Sequence, residues 1–127
     1  MTALAYVDSS CILAIALGEP SAKKVAERLN GFVHILAHPL LDAEVRSTCS
    51  RERATLPQLS LDVIQWIEAP RPLSEEVDRV LAAGYLRGAD CLHVAAALYL
   101  SPDPAQLTFL TLDARQGLIA KKLGFKA

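Results

Sequence analysis

The chain has 127 residues, 52% apolar and 21% charged, a balance that permits a real core and excludes a disordered chain. Thirteen Lys and Arg face fourteen Asp and Glu, for a net charge of −1, so a protein that grips nucleic acid by bulk positive charge alone is excluded. No run approaches the roughly 18 apolar residues of a membrane span, and the apolar start has no basic segment before it and is broken by Asp8, unlike a signal peptide.

In chain order, ALAYV (residues 3–7) predicts a short buried strand, SSCILAIALG a helix and GEPS a turn. SAKKVAERLNG predicts a helix with Ser21 as N-cap and Gly31 as its stop. FVHILA (residues 32–37) predicts a second strand. HPLLDAEVRSTCSRERA predicts a helix with Pro39 near its first turn, where proline is tolerated. LSLDVIQWIEA fits either period; in related architectures this region carries a helix and then a short strand. After the linker APRPLS, SEEVDRVLAAGYLRG predicts a helix opened by Ser74, with Glu75 and Glu76 in the turn where the dipole favours acids. ADCLHVAAALYL predicts an apolar helix, SPDPAQ a turn, LTFLTL (residues 107–112) a strand and DARQGLIAKKLGF a last helix. Strands separated by long helical stretches pair in parallel through crossovers. The expected fold is α/β: one domain over residues 1–127, a three-layer α/β/α sandwich around a small parallel sheet. The ligand crevice of such a sheet lies at the carboxyl ends of its strands.

Asp8 and Asp113 both fall at those ends. Each can cap the helix that follows, although Ser9 and Ser10 could cap in place of Asp8. In HPLLDAEVRSTCS the helical turn of about 100° per residue sends Asp42 and Glu44 to nearly opposite sides. Asp42 has Arg46 four residues on and reads as a solvent-side ion pair; Glu44 shares a face with Leu40, Leu41 and Thr48, or pairs with Arg46 or Arg53. Asp90 is the only acid between Ala89 and Leu100, in a segment apolar almost all round, where a charge is costly unless paired or bound to metal. A first-turn position beside Arg87 is its structural alternative. His93, three residues on, reads first as a satisfied core histidine and second as a ligand. Four carboxylates at buried or strand-end positions would repel one another unless a cation intervened, and an all-oxygen set suits Mg²⁺ or Mn²⁺. Cys11, Cys49 and Cys91 are odd in number and far apart, so free buried thiols in a reducing cytoplasm are expected rather than a disulfide or CxxC framework.

YVDSSCIL, LLDAEVRS, LRGADCLHVAAAL and FLTLDARQGL resemble, in order and spacing along nearly the whole chain, the PIN domain and specifically the VapC-type toxins of toxin–antitoxin pairs. The resemblance implies a metal-dependent endoribonuclease acting on structured RNA such as tRNA or ribosomal RNA. By position it implies Asp8, Glu44, Asp90 and Asp113 as the catalytic acids. Asp8, Asp90 and Asp113 would hold one or two Mg²⁺ or Mn²⁺ ions, with Ser9 and Thr111 behind them to orient ligands. It also implies a cognate antitoxin and a homodimer. Some family members have a further acid shortly after the fourth; here ARQG follows Asp113 and no acid occurs afterwards, so a first metal ion is implied more strongly than a second.

Basic residues that could meet RNA are Arg46, Arg51, Arg53, Arg87, Arg115, Lys121, Lys122 and Lys126, most of them readable as solvated helix faces. Arg87 and Arg115 are the better candidates for substrate binding, lying next to Asp90 and Asp113. Trp66 is expected to pack rather than stack on a base. A receiver-type domain would carry paired acids after strand one and a late Lys, and a haloacid-dehalogenase-like phosphatase an Asp where Ser10 stands; neither fits. A PIN-like domain serving as a protein- or RNA-binding scaffold is the remaining alternative.

Overall fold

The computed structural model describes residues 3–127; residues 1 and 2 of the expected domain lie outside the described residues. Four strands form one parallel sheet: β1 (Leu4–Val7), β2 (His34–Ala37), β3 (Ile64–Trp66) and β4 (Thr108–Leu110), in the order β3-β2-β1-β4. Register is set by Ala5 opposite both Ile35 and Thr108, and by Ile35 opposite Ile64. After β4 the chain runs through the last helix, and Lys126 forms a parallel bridge with Thr108.

Successive residues of β1 enter opposite cores, as the alternation of a strand requires. Ala5 and Val7 join Ile12, Val25, Leu41, Val45 and Leu61, from α1 (Ser9–Ala16), α2 (Ala22–Asn30), α3 (Leu40–Glu52) and α4 (Gln58–Asp62). Tyr6 joins Val80, Val94, Phe109 and Ile119 on the other face, beneath α5 (Ser74–Ala83), α6 (Gly88–Leu100) and α7 (Ala114–Leu123). This gives the expected three layers, with both sheet faces covered as parallel sheets need. Each fully buried Ile or Leu, such as Ile12 and Leu41, contributes about 1.5–3 kcal/mol.

The ambiguous segment resolves into α4 and then β3. Other boundaries shift for local reasons. β4 ends at Leu110 rather than Leu112, because the Thr111 hydroxyl turns back to accept from the Asp113 N–H at 3.0 Å. Helix α5 stops at Ala83, and Gly84 to Arg87 run on outside it. A Cβ on Gly84 would stand 3.0 Å from Ile119 Cδ1, so that strand-like passage lies hard against α7. Ser74 is the first helical residue and not the cap, and Ser21 stands at the α2 cap position without a side-chain hydrogen bond. The three cysteines are free and buried, as expected. Among the described residues, no helix is long and apolar enough to cross a membrane.

The strand order fixes where a crevice can open. From β1 the chain leaves through α1 to one face and builds β2 and β3 on one side; from β4 it leaves through α7 to the opposite face. Connections that part in opposite directions open a gap above the carboxyl ends of β1 and β4. Asp8 follows β1 at one side of that gap, and Thr111 to Asp113 follow β4 at the other.

Candidate active site

Asp8 is 3% exposed, the most deeply buried acid of the site. It is the N-cap of α1: the Ser10 N–H donates to Oδ1 at 3.2 Å, and the Ser10 hydroxyl donates to the same oxygen at 2.5 Å. The cap and the buried acid are therefore one residue. Ser10 Oγ in turn accepts from the Leu112 N–H at 2.9 Å and lies 3.3 Å from Thr111 Oγ1. The expected supporting hydroxyl was that of Ser9, which makes none of these bonds. A cap side chain faces the N–H groups one turn inward, so the second helical residue reaches it and the first does not.

Thr111 Oγ1 donates to Gln116 Oε1 at 2.7 Å, and Gln116 Nε2 donates to the Asp90 carbonyl at 3.1 Å. Asp113 caps α7 by accepting from the Gln116 N–H at 2.8 Å. One hydrogen-bonded path thus joins the ends of β1 and β4 to α7 and α6. Gln116 is fully buried and was not among the residues expected from sequence. Its signal was available: DARQ has the spacing of a capping box, with Asp at the cap and Gln three residues on.

Glu44 and His93 meet across the rim of the sheet. His93 Nε2 is 2.6 Å from Glu44 Oε1, and His93 Nδ1 is 2.7 Å from the Tyr6 hydroxyl. His93 is a satisfied core histidine, fully buried. Glu44 takes this partner rather than Arg46 or Arg53, while Arg46 pairs with Asp42 at 2.9 Å as expected. Tyr6 stacks on Phe109, with ring centroids 5.5 Å apart, and its buried phenol is held well above the usual tyrosine range, mainly by desolvation.

Asp90 lies in the first turn of α6 with its side chain 24% exposed, and Arg87 is 3.9 Å away. Arg87, Asp90, Asp113 and Arg115 line one open cleft of about 190 Å³ with Tyr85 and Leu86. Arg115 is steadied by donating from Nε to the Tyr85 carbonyl at 3.1 Å. Asp8 and Glu44 do not line that cleft; Glu44 acts on Asp90 through its charge. Asp90 is raised above the usual carboxylate range, first by desolvation and then by the charge of Asp113, with Glu44 adding to it and Arg87 opposing. Asp8 is pushed up to about 6 by burial, against the lowering effect of Ser10 and Thr111. Trp66, at the outer edge of the sheet, is 41% exposed rather than packed away.

Residues 5–122 match the PIN domain. The chain belongs to the PIN domain family. No curated protein matches it. PIN domains are generally nucleases, and PIN nucleases typically use divalent metals. In this PIN domain, no group of three or more His, Cys, Asp and Glu side chains among the described residues is gathered so as to hold an ion. The donors nevertheless fit a hard cation. They are carboxylate oxygens: burial raises Asp8, and burial together with the charges of Asp113 and Glu44 raises Asp90, the signature of acids a cation would relieve. Mg²⁺-like ions keep several waters and need only one or two carboxylates beside a substrate phosphate, so a closed cage is not required. Asp8 Oδ2 suits that role: no described residue donates to it, and no unpartnered side-chain N or O among the described residues is sealed from solvent.

Proposed function

We propose that this PIN domain is a metal-dependent endoribonuclease, the toxin of a VapC-type toxin–antitoxin pair, which hydrolyses RNA phosphodiesters in the cytoplasm. The observation that carries the reading is geometric: Asp90 in the first turn of α6 and Asp113 at the α7 cap line one cleft with Arg87 and Arg115, where Asp90 is raised first by desolvation and then by the charges of Asp113 and Glu44. Asp8, Asp90 and Asp113 would hold Mg²⁺ or Mn²⁺. Bound there, the ion supplies positive charge for a phosphodiester and makes water more acidic. Asp8 keeps one oxygen occupied by Ser10, which fixes the direction of the other. Glu44, tied through Oε1, has a second oxygen free to take a proton from attacking water. Thr111 holds the Asp113 N–H and Gln116 in place behind the acids. Arg87, whose side chain is 84% exposed and only distantly paired, and Arg115, which lines the same cleft, would meet phosphates on either side of the cut.

The substrate would be tRNA or ribosomal RNA, and the partners a cognate antitoxin and a second copy of the chain. The sequence resemblance of LRGADCLHVAAAL and FLTLDARQGL to VapC-type toxins supports that part of the reading. The test is cleavage of total tRNA and ribosomal RNA with Mg²⁺ or Mn²⁺, with EDTA and Asp90→Asn as controls. Cleavage that requires both metal and Asp90 is expected. Metal binding without cleavage of any RNA, in protein freed of partners, would overturn the nuclease and leave a binding scaffold.

A further inference from the structure

The chain of bonds behind Glu44 begins and ends on the same helix. The Leu40 N–H, at the start of α3, donates to His38 Nδ1 at 2.9 Å. The His38 N–H donates to the Tyr6 hydroxyl at 3.1 Å. Tyr6 then meets His93 Nδ1 at 2.7 Å, and His93 Nε2 meets Glu44 Oε1, one helical turn after Leu40, at 2.6 Å.

The donors in this circuit can be assigned. The Tyr6 oxygen already accepts from a backbone N–H, which leaves its own proton to be given away. His93 Nδ1 is the one acceptor among the described residues within reach of that proton. If Nδ1 carried a hydrogen, it would take the second lone pair of the Tyr6 oxygen and the phenol proton would be left in a fully buried site with no partner, a costly arrangement. Nδ1 therefore presents its lone pair, the ring proton sits on Nε2, and Nε2–H donates to the Glu44 carboxylate. The ring cannot swing, because Tyr6 is fully buried and stacked on Phe109.

We propose that His93, locked by Tyr6 as its Nε2–H tautomer, is a positioning residue that fixes Glu44 by one oxygen and leaves the other free for the reaction. This rests on the nuclease reading for its catalytic consequence, but not for the tautomer. The arrangement follows the general rule that an imidazole's role is set by what its second nitrogen bonds. It also explains why a polar pair joins α3 and α6 across the rim of the sheet.

Two measurements test it. Proton–nitrogen correlation spectra of the ¹⁵N-histidine-labelled protein at neutral pH should show His93 as a neutral ring protonated at Nε2. Glu44→Gln should move that Nε2–H signal while leaving His34 unmoved. Tyr6→Phe should give a mixture of tautomers. An Nδ1–H ring or an imidazolium in the wild-type protein would overturn the assignment. In cleavage assays on total tRNA, His93→Leu should lower kcat by about 10- to 100-fold with KM little changed. His93→Gln, which can still donate to Glu44, should recover most of that loss, and Tyr6→Phe should cost about fivefold. Equal impairment of the Leu and Gln variants, or an effect confined to KM, would overturn the positioning role. Should His93→Leu fail to fold, the wild-type spectrum and Tyr6→Phe still decide the matter. A wild-type chain that cuts no RNA would end the nuclease reading alone, while the tautomer stands or falls by its spectrum.

Discussion

The acids on the outer helical surface and those at the rim of the sheet live under opposite conditions. Outside, charges pair: Asp42 with Arg46 at 2.9 Å, and Arg71 with Glu76 at 2.8 Å, with Arg71 also 5.5 Å above the Tyr99 ring. The Arg71 bond draws Glu76 below the usual carboxylate range. At the rim, Asp8 and Asp90 are both raised, Asp8 chiefly by burial and Asp90 by burial and its acidic neighbours. One set is already compensated and contributes little beyond solubility. The other is under-compensated, and a cation together with a phosphate-bearing substrate is what would relieve it. Asp42 and Glu44 stand two residues apart on α3, Asp42 turned to solvent with Arg46 and Glu44 turned inward to His93.

The largest effect should come from neutralising a rim acid. Asp8→Asn or Asp90→Asn should lower metal-dependent RNA cleavage by about two to three orders of magnitude, measured as the single-turnover rate. The same Asp8→Asn change should stabilise the metal-free protein at pH 7.5. A carboxyl raised from 3.8 to about 6 corresponds to a cost of about 3 kcal/mol when ionised, an upper bound because Asn also alters the hydrogen bonds. The sign is fixed by linkage. Between pH 4 and 6 the folded state binds more protons at Asp8 than the unfolded state, so its contribution to stability falls as pH rises through that window. Urea titrations of wild-type and Asp8→Asn protein in EDTA should therefore diverge from pH 4 upward, with the variant gaining.

A smaller effect is expected at Ser10. Ser10→Ala removes a donor to Asp8 and the acceptor for the Leu112 N–H, and should cost about 1–2 kcal/mol in urea unfolding. Because Ser10 lowers the Asp8 pKa, the variant should raise it further and weaken metal binding. Smallest of all, Asp42→Asn should change stability by less than about 0.5 kcal/mol and leave cleavage untouched, since its pair is half-exposed. A large loss of activity in Asp42→Asn would erase the distinction between the two regions.

Much of this arrangement was legible in the sequence, for physical reasons. Short apolar runs between helical stretches pointed to the parallel sheet, and an acid between an apolar run and a helix marked Asp8, directly after β1, and Asp113, three residues past the end of β4. The Asp42–Arg46 pair followed from helical spacing alone. What stayed hidden was long-range or set by a single bond. Glu44 and His93 are 49 positions apart, so no local pattern could join them. Tyr6 reads as one more core residue of a strand until its hydroxyl is seen against His93. Ser9 and Ser10 are chemically identical, and only the cap geometry decides that Ser10 serves Asp8. The segment around α4 and β3 was ambiguous because five and three residues are too few to reveal a period.

The most direct test is a calorimetric titration of Mn²⁺ into four proteins: wild type, Asp8→Asn, Asp90→Asn and Asp42→Asn. The rim account predicts that wild type and Asp42→Asn bind the ion alike and that both rim variants lose at least tenfold in affinity. Equal affinity in all four proteins, or loss only in Asp42→Asn, would contradict it.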